Sequence, residues 1–393
     1  MLSVFRSLPP HRSPSRAIGC WLMAALLSVL AMDGLRAEEG VSDDEVRLGM
    51  VNAQSGPAAG LGKGLHAGAQ AYFARVNAAG GVYGRKISLQ LRDDSYEPVR
   101  TADHTRELIA SRNIFALFGY VGTPTSRAAM PIALQARVPY LFPFTGAEVL
   151  RKPVHPWVFN VRASYFDETE VMVERMTGDL GLRKVALLMQ DDSFGETVKS
   201  GLVGALYRRD LTIHSEARVQ RNSLEVAAAV DQLKQSQPEA IVFVGTYKQL
   251  AAAVRQARVS GLGARFFTVS FVGTDNFIAE AGLAADGVYI TQVMPSPYDR
   301  SSALIRQYQA DLPADEIGYA SLEGYIDAAV FVAALREVGP APTRVALVQA
   351  LAFLQVDLQG FAVAFSPSDH QGSDAVFLTR VEAGRALPVQ HLR

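Results

Sequence analysis

Apolar positions along the chain fall into two rhythms. Short continuous runs recur at 46–51 (Val-Arg-Leu-Gly-Met-Val), 87–91, 114–118, 184–189, 213–219, 240–244 and 265–269. Between them apolar residues return every three or four positions: Leu65, Ala69, Tyr72/Phe73 and Val76; Val198, Leu202 and Leu206; Val226, Val230 and Leu233; Leu250 and Val254. The first rhythm predicts buried strands and the second amphipathic helices. Pro98 and Thr123-Pro124 mark helix starts, with Thr123 as the expected N-cap. Residues 320–335 predict a long helix with Leu322, Ile326, Ala329/Val330 and Ala333 facing inward. After Gly360 the pattern returns to β, at 361–365 and again at 375–381.

Strands that alternate with helices and are apolar throughout belong in parallel sheets covered on both faces. The alternation runs once up to about residue 161 and again after it. The expected fold class is therefore α/β, with two doubly wound parallel-sheet lobes. The first lobe is expected at 43–161 plus 294–358, the second at 162–293 plus 359–393.

Composition narrows the function classes. The 393 residues are 49% hydrophobic and 20% charged, with a formal net charge of -1. That supports a full core, and it argues against nucleic acid as a partner and against a disordered acidic tail. Residues 1–37 stand apart. Arg12 and Arg16 precede an apolar run at 17–32, and Ala37 offers a small residue for cleavage. This predicts a signal peptide cleaved near Ala37 and a periplasmic mature protein. The run falls short of the ~20 apolar residues of a membrane span. Cys20, the single cysteine, lies within it. The apolar run follows that cysteine instead of preceding it, which excludes a lipid anchor. The mature chain is then without disulfides or thiolate chemistry and is held by its core alone.

Catalytic signals fail one after another. No G-x-S-x-G and no H-E-x-x-H occurs. His66, His104, His155, His214, His370 and His391 lack ligand spacing, so no metal and no cofactor is expected. The stretch 56–64 (Gly-Pro-Ala-Ala-Gly-Leu-Gly-Lys-Gly) resembles a phosphate loop but misplaces the first Gly and has Gly64 where a Mg²⁺-binding hydroxyl belongs. Gly60, Gly62 and Gly64 are expected to form a flexible loop that enters a helix. Asp93-Asp94 and Asp191-Asp192 each end a strand, where turn and N-cap duty is their expected role. No nucleophile–base pair is visible, so the chain is expected to be no enzyme.

The informative positions lie at strand C-termini, where open parallel sheets bind ligands. Three such loops follow the first-lobe strands: 52–56, 119–125 and 143–147. The last two combine Gly, which admits close backbone approach, with Thr, which supplies a hydroxyl donor. Ser55-Gly56-Pro57, the run 77–85 (Asn-Ala-Ala-Gly-Gly-Val-Tyr-Gly-Arg), Asp93-Asp94, the run 139–147 (Pro-Tyr-Leu-Phe-Pro-Phe-Thr-Gly-Ala), Asp192-Ser193-Phe194-Gly195-Glu196 and 255–262 (Arg-Gln-Ala-Arg-Val-Ser-Gly-Leu) follow one another in order. Together they resemble the leucine/isoleucine/valine-binding protein family, the type I periplasmic binding proteins of branched-chain amino-acid ABC transporters. The resemblance covers nearly the whole chain after residue 37.

That resemblance implies two lobes joined by three crossovers, a monomer, a small-molecule ligand between the lobes, and delivery to ABC permease subunits. It implies that Gly122, Thr123, Phe144, Thr145 and Gly146 hold the ligand carboxylate; Tyr120 on the 119–125 loop and Ser55 on the 52–56 loop are further candidates. The second lobe closes with Phe194 and with Thr246 and Tyr247. An acidic residue after strand 265–269 normally receives the ligand ammonium. Phe271 occupies that place here, and the nearest acid is Asp275. Two ligand classes stay open: a branched-chain or other hydrophobic amino acid, and an aromatic or other non-amino carboxylate. A ligand-sensing receptor of the same fold is the alternative to a transport component.

Overall fold

Each apolar run becomes a strand, because its side chains on both faces find helices to pack against. The computed structural model describes residues 38–392, so the expected signal peptide lies outside the described residues. The first sheet holds β1 (Glu45–Asn52), β2 (Lys86–Asp93), β3 (Ala116–Phe118), β4 (Tyr140–Leu141) and β5 (Val158–Phe159), in the order β2-β1-β3-β4-β5. All its pairings are parallel; Leu48 on β1 faces Leu89 on β2 and Ala116 on β3. The second sheet holds β6 (Val185–Gln190), β7 (Ser215–Val219), β8 (Ala240–Val244), β9 (Arg265–Thr268) and β10 (Tyr289–Gln292). A small hairpin of β11 (Gln355–Asp357) and β12 (Ala362–Ala364) follows, and β13 (Phe377–Glu382) and β14 (Arg385–Pro388) complete the second sheet in the order β14-β13-β10-β9-β8-β6-β7. These last two strands run antiparallel, an edge added to an otherwise parallel sheet. In both sheets strand order reverses beside the first strand, which puts the binding crevices at the carboxyl ends of β1/β3 and β6/β8.

The helices that position these ends are α1 (Ala59–Ala78), α2 (Pro98–Ala110), α3 (Thr123–Gln135), α4 (Tyr165–Gly178), α5 (Ser193–Tyr207), α6 (Ala227–Gln235), α7 (Tyr247–Val259), α8 (Thr274–Ala281), α9 (Ala303–Asp311), α10 (Tyr319–Val338) and α11 (Arg344–Ala352). The chain crosses between sheets after β5 and after β10. The third crossing differs from expectation. Segment 359–372, assigned by sequence to the second lobe, packs with the first. Phe365 stacks on Phe142 at 6.4 Å, His370 stacks on Phe159 at 4.0 Å, and Gln371 bridges Asn160. Phe361, Val363 and Phe365 share a core with Val46 and Leu48. The crossing therefore falls between Gln371 and Phe377. An alternating strand advertises that one face is buried, but not against which sheet.

A second difference concerns the glycines. Gly60, Gly62 and Gly64 lie inside α1, not in a loop before it. Their close neighbours differ: a Cβ on Gly62 would stand 1.9 Å from the Ala53 carbonyl oxygen, one on Gly60 2.4 Å from the Asn276 side chain, and one on Gly64 2.9 Å from Ala320 on the partner helix α10. A Cβ on Gly68 would stand 1.7 Å from the Ser321 carbonyl oxygen, and one on Gly324 would stand 2.0 Å from the Leu65 carbonyl oxygen. Helices α1 and α10 approach backbone to backbone, and only glycine permits that. Helix α10 is apolar on nearly every face and is buried accordingly. Among the described residues no helix is long and apolar enough to cross a membrane.

Gly68→Ala forces the two helices apart and is expected to cost about 1–3 kcal/mol, as overpacking does. Gly178→Ala, at the end of α4 with nothing within 4 Å of the new methyl group, is expected to be neutral or to stabilise by about 0.5 kcal/mol. Urea midpoints of the two variants check the contrast.

Candidate ligand-binding site

Loops 119–122 and 142–147 run side by side past the ends of β3 and β4. The Phe144 N–H donates to the Tyr120 carbonyl at 2.7 Å and the Gly122 N–H to the Phe144 carbonyl at 3.2 Å. This extra rung brings the next residues together: the Thr123 and Thr145 hydroxyl oxygens lie 2.7 Å apart, both fully buried. Thr145 also donates to the Tyr165 hydroxyl at 3.2 Å, at the start of α4. Thr123 was expected to cap α3. The cap is Gly122 instead, at φ 101°, whose carbonyl accepts the Ser126 N–H at 3.1 Å. Thr123 is the first helical residue, and its hydroxyl is free to join Thr145.

Both glycines are there for close approach. A Cβ on Gly122 would stand 2.3 Å from the Tyr96 ring, and one on Gly146 would stand 2.6 Å from the Tyr165 nitrogen. Tyr96 and Tyr165 flank an aromatic cluster at the junction of the lobes. Phe271 is its centre, with ring centroids 4.6 Å from Phe194, 5.8 Å from Phe144 and 6.1 Å from Tyr96. Tyr165 lies 5.4 Å from Phe194. On Phe144 rests the guanidinium of Arg162, 4.3 Å from the ring centroid. Burial pushes the Tyr165 phenol up to about 12 against the opposing pull of Arg162, so it is a neutral donor and acceptor. The Tyr96 hydroxyl and Arg162 Nη1 are buried without a hydrogen-bond partner.

Seven residues singled out by sequence converge here: Gly122, Thr123, Phe144, Thr145, Gly146, Phe194 and Phe271. Tyr96, Tyr165 and Arg162 join them without any sequence signal beyond lying next to a strand end or a crossover. Five others sit elsewhere. Tyr120 points into the first-lobe core, with its hydroxyl 3.0 Å from Thr105 and its ring 4.9 Å from Tyr140. Ser55 donates to Asp93 at 2.6 Å and ties its loop to the end of β2. Thr246 is the N-cap of α7, where Gln249 accepts its N–H. The Tyr247 hydroxyl accepts the Gly60 N–H at 3.4 Å, from lobe to lobe. Asp275 accepts from the Tyr298 hydroxyl at 2.7 Å and from the Tyr319 N–H at 2.8 Å, and burial raises its pKa. Its carboxylate is thus committed to the start of α10 and not to the aromatic cluster.

The arrangement offers hydroxyl donors at one end and aromatic walls around the rest. It offers no activated nucleophile, because the Thr123 and Thr145 hydroxyls bond to each other and to Tyr165 and not to a base. Among the described residues no cluster of histidine, cysteine, aspartate and glutamate has a metal-binding arrangement.

Asp93, Asp94 and Asp192 perform the expected turn and cap duty, whereas Asp191 pairs with Arg218 at 2.7 Å. Asp192 is the N-cap of α5 and accepts the Phe194 and Gly195 N–H groups. Asp93 accepts the N–H groups of Gln54, Ser55 and Ser95, while Asp94 accepts the Tyr96 N–H at 2.8 Å and the Thr101 hydroxyl. Their acidities diverge. Burial pushes Asp94 up to about 6, while at Asp93 burial is outweighed by the hydrogen bonds and the carboxyl falls to about 2. A raised carboxyl stabilises below its unfolded value near 3.8 and loses that stability as pH climbs through about 6. Asp94→Asn is therefore expected to remove about 2–3 kcal/mol of stability loss between pH 4 and 6. Asp93 has the opposite sign: Asp93→Asn is expected to destabilise above pH 4 and to match the wild type near pH 2. Urea unfolding of the three proteins from pH 2 to 7 checks both.

The description "periplasmic binding protein" belongs to the family model that matches residues 45–386. A curated relative, the leucine-specific-binding protein of Salmonella typhimurium, is 21% identical over 280 residues, 70% of this chain and 75% of the relative. A possible leucine/isoleucine/valine-binding protein from Rhodopirellula baltica has a crystal structure that superposes with a TM-score of 0.83 at 31% identity, covering 90% of this chain and 98% of that one. A solute-binding protein of an ABC transporter from R. palustris, solved with benzoate, shares the fold at 20% identity and a TM-score of 0.78, covering 88% of this chain and 95% of that one. With a model matched from the first strand to the last hairpin, the chain belongs to the periplasmic binding protein family, in its type I, leucine/isoleucine/valine-binding form.

Proposed function

We propose that this protein captures a small carboxylated solute with an apolar body outside the cytoplasm and delivers it to the permease subunits of an ABC transporter, catalysing nothing. It acts as a monomer after residues 1–37 have been removed as a signal peptide. The observation that carries the reading is the hydroxyl chain Thr123–Thr145–Tyr165, set at the N-terminus of α3 and backed by aromatic rings from both lobes. A helix N-terminus and hydroxyl donors favour an anion. Phe144, Phe194, Phe271 and Tyr96 favour an apolar body, and such a site needs only a few fixed polar groups to orient its ligand.

The solute is a hydrophobic α-amino acid, in keeping with the leucine-specific relative. One observation favours a second reading, a carboxylate without an amino group. The position that carries an acid in the family is Phe271, and the nearest acid, Asp275, is bonded to Tyr298 and Tyr319. An unpaired ammonium in a closed apolar cleft is costly. Thermal shifts decide between them, because a ligand that binds only the folded state raises its stability. Leucine and phenylalanine are expected to raise Tm, and 4-methylpentanoate and 3-phenylpropanoate are not. Equal or larger shifts with the deaminated acids transfer the assignment to non-amino carboxylates.

For whichever of these compounds stabilises the protein, Thr145→Val removes one hydroxyl donor and keeps the shape. A hydrogen bond to a charged group contributes ~1.5–3 kcal/mol, so affinity is expected to fall roughly 10- to 100-fold. Calorimetry on the folded variant reads it; affinity within twofold of wild type removes Thr145 from the site.

A further inference from the structure

Tyr96 reaches the aromatic cluster from an unusual piece of backbone. Ser95 and Tyr96 are consecutive non-glycine residues in the left-handed region, at φ 52° and 64°. Such residues persist only where their surroundings hold them. On the first-lobe side the holders are Asp93 and Asp94, which accept the two N–H groups. The remaining holder comes from the other lobe. Arg221, in the loop after β7, donates through Nη2 to the Tyr96 carbonyl and stands 4.6 Å over the Tyr96 ring. Through Nη1 it pairs with Glu97 at 3.0 Å. Its neighbour Asn222 donates to the other Glu97 oxygen at 2.9 Å.

The arm that carries these two residues is itself fixed. Gln249 on α7 donates to the Gln220 carbonyl at 3.2 Å and to the Ser223 carbonyl at 2.9 Å, on either side of Arg221 and Asn222. Asp192, the cap of α5, pairs with Arg221 Nε at 3.2 Å. The arm therefore presents its donors to a corner of the opposite lobe while its own geometry stays set by the second lobe. The Arg221 side chain is 17% exposed, at the edge of the cleft and not inside it.

We propose that Arg221 and Asn222 are a latch. They seize the Tyr96–Glu97 corner when the lobes close, hold the Tyr96 ring against the cluster, and so set how long a bound solute stays, without touching it. Arg221 is a positioning residue that acts through Tyr96. The proposal rests on the solute-binding reading above. Contacts made after encounter govern release more than capture, whereas a charge that only steers changes the association rate.

Stopped-flow fluorescence with leucine, phenylalanine and benzoate measures both rates for every probe that binds. Arg221→Ala is expected to raise the dissociation rate about tenfold, with association within twofold, and by the same factor for each probe. Arg221→Lys, which keeps the charge and loses the fork, is expected to fall between. Arg221→Ala and Glu97→Ala combined are expected to change the rate by less than the product of their separate effects. Added salt is expected to speed release from the wild type and not from Arg221→Ala. A dissociation rate within twofold of wild type, an effect confined to association, or independent effects of Arg221 and Glu97 overturns the latch. If none of the three probes binds the wild type, the reading of the ligand fails on its own account. The latch is then decided by X-ray scattering of the ligand-free protein: Arg221→Ala is expected to have the larger radius of gyration, and an equal radius overturns it.

Discussion

Arg162 is the residue through which the two lobes are built onto each other. It follows β5, where the chain first leaves the first sheet, and its side chain is 1% exposed. Nε pairs with Glu323 on α10 at 3.0 Å, and Nη2 donates to the Ser270 hydroxyl at 2.8 Å, beyond the end of β9. Ser270 in turn donates its N–H and hydroxyl to Glu168 on α4, which also accepts the Thr291 hydroxyl. One guanidinium thus joins the first crossover, the central buried helix and the second sheet. A buried pair of this kind adds little net stability over a well-packed apolar replacement, but removing one partner costs about 3–5 kcal/mol by leaving a charge without a counterpart. Its contribution is geometric. Phe144 lies flat under the guanidinium, so the loop that carries Thr145 is placed by the same contact. Only so much charge is compensated there. Burial and the neighbouring Glu323 raise the Asp327 carboxyl well above its ordinary value.

Around that junction the candidate site draws on both lobes. The first lobe supplies Thr123 and Thr145, from adjoining loops whose added rung sets their contact, and the second supplies Tyr165. The second supplies Phe194 and Phe271, on rigid elements: Phe194 in the first turn of an Asp-capped helix, Phe271 in a short 3₁₀ turn after β9. Hinged domains close by changing a few backbone torsions at the crossovers while each lobe moves as a body. Hydroxyls and rings thus come from both lobes: Thr123, Thr145, Phe144 and Tyr96 from the first, Tyr165, Phe194 and Phe271 from the second. Phe144 and Tyr96 both reach across to Phe271, and the strained backbone of Tyr96 is held from both sides.

Much of this was legible in the sequence. Apolar runs located the strands, and their alternation with helical stripes implied two doubly wound lobes. Gly-Thr loops at strand ends pointed to Thr123 and Thr145, and the spacing of weak motifs pointed to the family. These are local facts: a strand end, a cap or a tight turn is decided by residues within a few positions of it. Other facts were not local. Gly60, Gly62 and Gly64 read as a loop because glycine usually breaks a helix, yet they lie in the first turns of α1, packed against Asn276, Ala53 and Ala320. Segment 359–372 read as second-lobe because a strand pattern carries no address. Tyr120 and Asp275 were placed near the ligand by sequence position, but Tyr120 turns toward Thr105 and Asp275 toward Tyr298 and Tyr319.

What the amino-acid sequence by itself determined, then, was the set of elements, their α/β class and the Gly-Thr loops at the strand ends, because periodicity, capping and turn chemistry act over short distances. What only the tertiary structure decided was which side chains meet. Arg162, Tyr96 and Tyr165 carry no distinguishing pattern: Arg162 is defined by Glu323, 161 positions away, Tyr96 by Arg221, 125 positions away, and Tyr165 by the room that Gly146 leaves for it. A buried guanidinium is tolerable only beside a carboxylate, and a ring can enter a cleft only where the opposite backbone lacks a Cβ. Those conditions are met by residues that become neighbours only when the two sheets are folded against one another.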